Sequence, residues 1–130
     1  MTTTCDTAII AVVDDDESLR VAIAGLLRSL ALRAEVFASA EEFLLALPRR
    51  REVACLIVDV RMPGMSGLDL QQALLVAGRP LPTIFISAHD DAAARGQAIR
   101  AGALTFLAKP FDDTALTAAV RSAFDVARWA

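Results

Sequence analysis

Apolar residues along this chain alternate between unbroken runs and helical spacing. Residues 8–13 form an unbroken apolar run that ends in acids. The apolar positions after it recur at the spacing of one helical face: Leu19, Ile23, Leu26, Leu27 and Leu30. Short continuous runs are typical of strands buried on both faces, and the second spacing is typical of an amphipathic helix. The chain therefore begins with a strand followed by a helix.

The same alternation continues to the end of the chain. Further strands are predicted over residues 33–37, 53–58, 83–87 and 103–107. Two of the helices between them are marked by boundary residues. Ser39 with Glu42 opens a helix that Pro48 closes, and Ser66 with Asp69 opens a helix that runs to Gly78. Residues 90–101 and 112–128 supply the fourth and fifth helices, and Ile99 is the only large apolar anchor predicted for the fourth.

Five strands alternating with five helices indicate the fold class. It is α/β, a doubly wound, open, five-stranded parallel sheet with helices on both faces. The 130 residues fit one domain, with a core over about residues 8–127 and no room for a second domain.

Composition excludes several classes of protein. Hydrophobic residues make up 55% of the chain, too many for a disordered protein. No apolar run approaches the ~18 residues of a membrane span, so no membrane association is expected. The first residues, MTTTCDT, lack the basic start of a secretory signal, so a cytoplasmic protein is expected. Cys5 and Cys55 are expected to be reduced thiols.

The net charge of −3 argues against nucleic-acid binding by this chain alone. The one basic cluster is Arg49-Arg50-Arg51. We interpret it as a solvated helix end, with a nucleic-acid or partner patch as the alternative.

Polar residues gather where the predicted strands end. The first strand ends at Asp14, Asp15 and Asp16, the third at Asp59, the fourth at Ser87 and the fifth at Lys109. In parallel α/β sheets, ligands bind in the crevice beyond the carboxyl ends of the strands. The sequence therefore predicts a site at this edge.

Converging carboxylates repel one another unless a cation neutralises them. Mg²⁺ prefers carboxylate oxygens with water and phosphate, so Asp14 and Asp15 are predicted metal ligands. The alternative for these acids is capping of the first helix, a role that we assign to Asp16 or Glu17.

Lys109 is the only lysine among 13 basic residues. A compact ammonium reaches a phosphate oxygen or a carboxylate in a small site where a guanidinium is too large, although a chance occurrence is the alternative. With the cation, the lysine and the Ser87 hydroxyl nearby, Asp59 is placed to act as a nucleophile towards phosphorus. Asp59 is thus a predicted phosphate acceptor.

Four segments of the sequence, VVDDDESLR, LIVDVRMPGMSGLDL, FISAHDD and GALTFLAKPF, resemble the receiver domain of bacterial two-component response regulators. The likeness covers residues 9 to about 127, and RMPGMSG resembles the FixJ-like branch, whose members usually carry a LuxR-type (NarL-type) helix-turn-helix output. The resemblance implies the flavodoxin-like strand order 2-1-3-4-5.

The resemblance also implies site roles. Asp59 matches the aspartate phosphorylated by a sensor histidine kinase. The Mg²⁺ ligands would be Asp14, Asp15, Asp59 and the backbone carbonyl of Arg61.

Three further positions match residues that respond to the phosphoryl group. Ser87 matches the hydroxyl that bonds it, and Lys109 the lysine that pairs with it. Phe106 matches the aromatic switch, with a plain core role as the alternative. His89 is interpreted as a loop residue, or as one bordering the phosphoryl site.

Members of this family act as switches rather than as enzymes with a separate substrate. The resemblance implies a homodimer through the fourth helix, fifth strand and fifth helix on phosphorylation. It also implies DNA binding only through an output domain, which we do not find in this chain.

Three alternatives stay open. One is a magnesium-dependent phosphohydrolase with an aspartyl-phosphate intermediate, although no residues are left for its cap domain. The others are a pseudo-receiver interaction module and a free-standing receiver or phosphorelay shuttle.

Overall fold

The computed structural model describes residues 8–49, 52–88, 91–100, 105–109 and 111–129. Strands and helices alternate through them in the predicted order. They are β1 (Ile9–Val13), α1 (Glu17–Ser29), β2 (Arg33–Phe37), α2 (Ala40–Ala46) with a 3-10 turn at Leu47–Arg49, β3 (Val53–Asp59), α3 (Gly67–Val76), β4 (Thr83–Ala88), α4 (Ala92–Arg100), β5 (Thr105–Lys109) and α5 (Asp113–Trp129).

All strand pairs are parallel, and the sheet order is β2-β1-β3-β4-β5. The predicted fold class and strand order are confirmed. Because β1 and β3 lie side by side at the centre, their carboxyl ends bring Asp14 and Asp59 to the middle of one sheet edge. Such an edge is where doubly wound sheets bind ligands.

The two faces of the sheet carry separate apolar layers. In β1, Ile9, Ala11 and Val13 pack towards α2, α3 and α4, whereas Ile10 and Val12 pack towards α1 and α5. Successive side chains of a strand point to opposite faces, so a strand between two helical layers must be apolar at every position. This explains the unbroken runs in the sequence.

The predicted helix boundaries rest on side-chain caps. Asp16 caps α1 by accepting from the Leu19 amide, and Ser39 caps α2 by accepting from the Glu42 amide. Ser66 and Asp69 form the complete capping box of α3, with each side chain accepting from the other's backbone N–H. Gly78, at φ +74°, terminates α3 as predicted.

Two predicted apolar anchors are wrong. Ile99, the only large apolar residue of α4, is 57% exposed, and the helix instead packs through the small side chains of Ala94 and Ala98. Small residues let a helix approach the sheet closely, so apolar size alone does not identify the buried face. Leu30 lies past the end of α1 and is 37% exposed.

Several predictions concern positions outside the described residues. These are Cys5, Arg50 and Arg51 of the basic run, His89, and the first two residues of the predicted fifth strand. Cys55 is described, and it is a buried free thiol in β3 as predicted. Burial raises the pKa of this thiol to about 12.

Among the described helices, none combines the length and the apolar character that crossing a membrane requires.

Candidate functional site

Three carboxylates meet beyond the ends of β1 and β3. One oxygen from each of Asp14, Asp15 and Asp59 lies within 4.8 Å of the other two. Asp14 is 1% exposed and Asp59 is also buried, whereas Asp15 is exposed to solvent. The convergence predicted from the strand ends is therefore present, with one member open to solution.

Asp14 has one satisfied oxygen and one unsatisfied oxygen. Its Oδ1 accepts from the Asp16 amide at 2.8 Å, but its buried Oδ2 accepts no hydrogen bond from any residue that the structure describes. A buried carboxylate oxygen without a hydrogen-bond donor is costly, because burial takes it out of water without giving it a hydrogen bond. The atom is suited to a cation, which would supply the missing interaction.

Burial raises the pKa of Asp14 from 3.8 to about 6, against the opposing hydrogen bond from the Asp16 amide. The negative charge of Asp59 adds to this rise, and the positive charge of Lys109 opposes it. Asp14 is thus a carboxylate held in an unfavourable charged state, which is the electrostatic setting that favours a bound cation.

Lys109, at the end of β5, reaches across to this cluster. Its Nζ donates to Asp59 Oδ2 at 2.7 Å and lies 4.0 Å from Asp14 Oδ2. Burial, the largest single effect, lowers the pKa of Lys109, but the hydrogen bond to Asp59 and the negative charges of Asp59 and Asp14 together raise the net pKa above its ordinary value. The ammonium is therefore charged at neutral pH and bound directly to the strand-end aspartate.

Ser87 lies buried near the end of β4, but its hydroxyl is engaged away from Asp59. The Ser87 Oγ donates to Asp91 Oδ2 at 3.4 Å.

Phe106, on β5, is half-buried against the apolar layer that includes α4, with the Arg95 guanidinium 5.9 Å from its ring centroid. The structure thus brings Asp14, Asp15, Asp59 and Lys109 together, and it leaves the Ser87 hydroxyl on a different partner.

The loop after β3 is held against Asp59 from two sides. The Arg61 amide donates to Asp59 Oδ1 at 2.9 Å. Gly67, at the start of α3, lies so close to the strand that a Cβ there would be 2.4 Å from the Asp59 carbonyl oxygen. The close approach of the two backbones requires glycine at this position.

Glu41, on α2, braces the same loop from outside. Its Oε2 accepts from the Met65 amide at 3.0 Å, next to Gly64, whose φ is +76°. Glu41→Ala is expected to raise the hydrogen-exchange rate of the Met65 amide by roughly 5- to 10-fold, because one charge-assisted hydrogen bond is lost. Amide exchange followed by NMR measures this, with Glu42→Ala as the control. An unchanged Met65 rate would contradict the bracing role.

Sequence reasoning missed four residues that shape the site: Arg20, Glu41, Gly67 and Asp91. Arg20 donates to the Asp14 carbonyl oxygen at 2.7 Å, and Asp91 accepts from both Ser87 and Arg61. Asp91 carried one signal, since an aspartate preceding an alanine-rich run is a typical helix cap. The other three act across chain segments, where a single sequence gives no spacing to find.

Fold and site together define a class of protein. It is a doubly wound parallel α/β domain with acids at the carboxyl ends of its two adjacent inner strands, β1 and β3, and a lysine that reaches them from the end of the edge strand β5.

The particular family follows from comparison. The family model of the response regulator receiver domain matches residues 10–121 of the sequence, so this chain belongs to that family. It is 44% identical over 120 residues to the response regulator protein TodT of Pseudomonas putida, covering 92% of this chain and 52% of TodT. It is 43% identical over 112 residues to the transcriptional regulatory protein FixJ of Azorhizobium caulinodans, covering 85% and 52% of the two chains.

Solved structures agree with this assignment. The crystal structure of FixJ-N superposes with a TM-score of 0.86 at 34% identity and covers 96% of both chains. The resemblance to the FixJ-like branch of receiver domains is confirmed. The chain spans about half the length of the curated relatives TodT and FixJ.

Proposed function

We propose that this chain is a phosphoacceptor switch, in which Asp59 takes a phosphoryl group from a sensor histidine kinase. The observation that carries the proposal is the 2.7 Å contact between Asp59 and Lys109, beside the buried Asp14 oxygen that lacks a described donor. A nucleophilic carboxylate, a fixed ammonium and carboxylate oxygens suited to a hard cation are the groups that phosphoryl transfer requires.

The metal ligands are proposed to be Asp14, Asp15, Asp59 and the backbone carbonyl of Arg61, with Mg²⁺ as the ion. The three carboxylates fit an oxygen-seeking cation, because they lie within 4.8 Å of one another and one of them has an unsatisfied buried oxygen. When bound, the ion neutralises charge on the phosphoryl oxygens and on the acids.

In the transfer step, a carboxylate oxygen of Asp59 forms a bond to phosphorus. The bond between phosphorus and the histidine nitrogen of the kinase breaks, and its electron pair stays on the imidazole. The product is an acyl phosphate on Asp59. Lys109, which already donates to Asp59, then donates to a phosphoryl oxygen, and its raised pKa keeps it charged for that role.

The new group adds roughly −1.5 to −2 charge and strong acceptor oxygens. Ser87 is the proposed hydroxyl donor to those oxygens, and Phe106 the ring that turns inward as Ser87 moves. Both lie on strands that border α4, and α4 packs through Ala94 and Ala98. Such a lightly packed helix is suited to shifting between two positions.

Partners follow from the same proposal. Phosphorylation would favour a homodimer through α4, β5 and α5, where Ile99 offers an exposed apolar side chain. We take residues 1–130 as one receiver domain, located in the cytoplasm with the ATP that supplies the kinase. The match covers only about half of TodT and of FixJ, so DNA binding is proposed to reside in an output region beyond the matched segment.

The experiment is intact-mass measurement after incubation with acetyl phosphate and Mg²⁺. We expect the wild type to gain the mass of one phosphoryl group and Asp59→Asn to gain none, because asparagine lacks a nucleophilic carboxylate. Asp112→Asn is the matched control. It makes the same change at the cap of α5, where asparagine serves equally well, and should be phosphorylated like the wild type.

Two outcomes would contradict the proposal. Equal labelling of the wild type and Asp59→Asn would place the acceptor elsewhere. Sustained release of phosphate from a small phosphate ester would indicate a magnesium-dependent phosphohydrolase instead. Gel filtration of the phosphorylated and unphosphorylated forms then tests for the dimer.

A further inference from the structure

Asp91, just ahead of α4, joins three parts of the molecule through one carboxylate. Its Oδ2 accepts from the Ser87 hydroxyl at 3.4 Å, and Arg61 donates to both carboxylate oxygens. Its Oδ1 also caps α4 by accepting from the Ala94 amide at 3.2 Å. Although Arg61 is largely exposed, the Asp91 side chain is only 12% exposed. The carboxylate is therefore held firmly between β4, α4 and the loop after β3.

The Ser87 hydroxyl has one proton to donate. In the unphosphorylated protein that proton is directed to Asp91, whereas the proposed switch requires it to be directed to a phosphoryl oxygen on Asp59. The two acceptors therefore compete for the same donor. At 3.4 Å the bond to Asp91 is longer than a normal hydrogen bond between oxygens, so it can be given up easily.

From these contacts, and resting on the proposed function of Asp59, we propose that Asp91 is a positioning residue. It holds the Ser87 hydroxyl away from Asp59 until the phosphoryl group outcompetes it. Because the same carboxylate caps α4 and is clamped by Arg61, the release of Ser87 changes the environment of the first turn of α4. Asp91 thus links the state of the acceptor site to the position of α4.

The rest of α4 makes this coupling effective. Its buried side chains in the described part of the chain are Ala94 and Ala98, and Ile99 faces solvent. Small side chains bury little apolar area, so packing alone holds the helix weakly. The Asp91 carboxylate is then a large share of what fixes the amino-terminal turn of the helix.

The test measures the affinity for beryllofluoride, a phosphoryl mimic, in the presence of Mg²⁺ by titration calorimetry. Asp91→Ser keeps a capping side chain for α4 but removes the second oxygen that engages Ser87. We expect it to bind beryllofluoride roughly 3- to 10-fold more tightly than the wild type, the factor associated with one net hydrogen bond. Asp112→Ser makes the same change at the cap of α5 and should bind like the wild type.

A second comparison separates positioning from a merely structural role. In a Ser87→Ala background the hydroxyl is gone, so Asp91→Ser should no longer change the affinity. If the gain persists there, or if Asp91→Ser in the native background does not tighten binding, the positioning role is wrong. Should Asp91→Ser fail to fold, Asp91→Asn serves in its place, with a smaller gain expected because its amide oxygen still accepts from Ser87, only more weakly than a charged carboxylate does.

A failure of the proposed function would give a different result from a failure of the Asp91 role alone. If wild-type protein does not bind beryllofluoride, or if Asp59→Ala binds it equally well, the assignment of Asp59 as the acceptor is wrong, and so is the role of Asp91 that depends on it. If wild-type binding depends on Asp59 but Asp91→Ser leaves it unchanged, only the positioning role is overturned.

Discussion

Asp14→Asn is expected to stabilise the metal-free protein while removing its ability to be phosphorylated. Burial raises the pKa of Asp14 to about 6, so at neutral pH the folded protein carries a charge that its environment disfavours. A shift of that size corresponds to roughly 3 kcal/mol, which is an upper limit for the gain in the free energy of unfolding. The amide keeps the shape of the side chain without the charge.

The pH dependence of this gain has a defined sign. Between the ordinary pKa of 3.8 and about 6, the folded wild type binds more protons than the unfolded chain, so its stability falls as pH rises through that window. The advantage of Asp14→Asn should therefore be absent below the ordinary pKa, grow through the window and level off above it. Urea unfolding without Mg²⁺ at a series of pH values measures it.

The Mg²⁺ affinity should depend on pH with the opposite sign to the stability. Mg²⁺ needs the deprotonated carboxylate, so the Mg²⁺ affinity of the wild type should decrease as pH falls below about 6, and Asp14→Asn should bind Mg²⁺ weakly at every pH. Asp15→Asn is the control for stability. Its carboxylate is exposed, so we expect a change within about 0.5 kcal/mol. A destabilised Asp14→Asn at neutral pH would contradict the electrostatic description of the site.

Gly67→Ala is expected to lower both the free energy of unfolding and the rate of phosphorylation. The added Cβ would lie 2.4 Å from the Asp59 carbonyl oxygen, and its neighbours within contact distance are backbone atoms that cannot rotate away. Overpacking of this kind costs roughly 1–3 kcal/mol in the free energy of unfolding. Relieving it must move the acceptor strand or the start of α3, which should lower the rate of phosphorylation by about 10- to 100-fold.

Gly25→Ala is the matched control for this change. Gly25 lies inside α1, and nothing lies within 4 Å of the position that its Cβ would take. Alanine should therefore stabilise the helix by about 0.5–1 kcal/mol and leave phosphorylation unchanged. Urea unfolding and phosphorylation by acetyl phosphate test both variants. If Gly67→Ala unfolded in urea and was phosphorylated as the wild type is, the close contact would be contradicted.

Much of the site could be predicted because of one property of parallel sheets. Every strand of such a sheet ends at the same edge, so Asp14, Asp59 and Lys109 were expected to meet there before any contact was known. The contacts of Ser87 could not be foreseen in the same way. The prediction grouped the Ser87 hydroxyl with the acids at the strand ends, whereas in the fold it donates to Asp91. Asp91 lies in the loop between β4 and α4, and the hydrophobic periodicity of the strands does not predict the path of a loop.

The helices show the same division. The cap residues Asp16, Ser39 and Ser66 act on amides three positions further on, so local sequence predicted them well. The buried face of α4 depends instead on how close the sheet lies. Ala94 and Ala98 are buried there and the larger Ile99 is not, although apolar size favoured Ile99.

The sequence by itself determined the alternation of strands and helices, the parallel sheet and the set of acids and lysine at its edge. These depend on periodicity and on the direction of strands, which are local properties. Only the tertiary structure decided which charges pair. Lys109 lies 2.7 Å from Asp59 and 4.0 Å from Asp14, and Glu41, Gly67 and Asp91 brace the site from distant segments. Those contacts depend on distances between elements, which are set when the helices pack on the sheet.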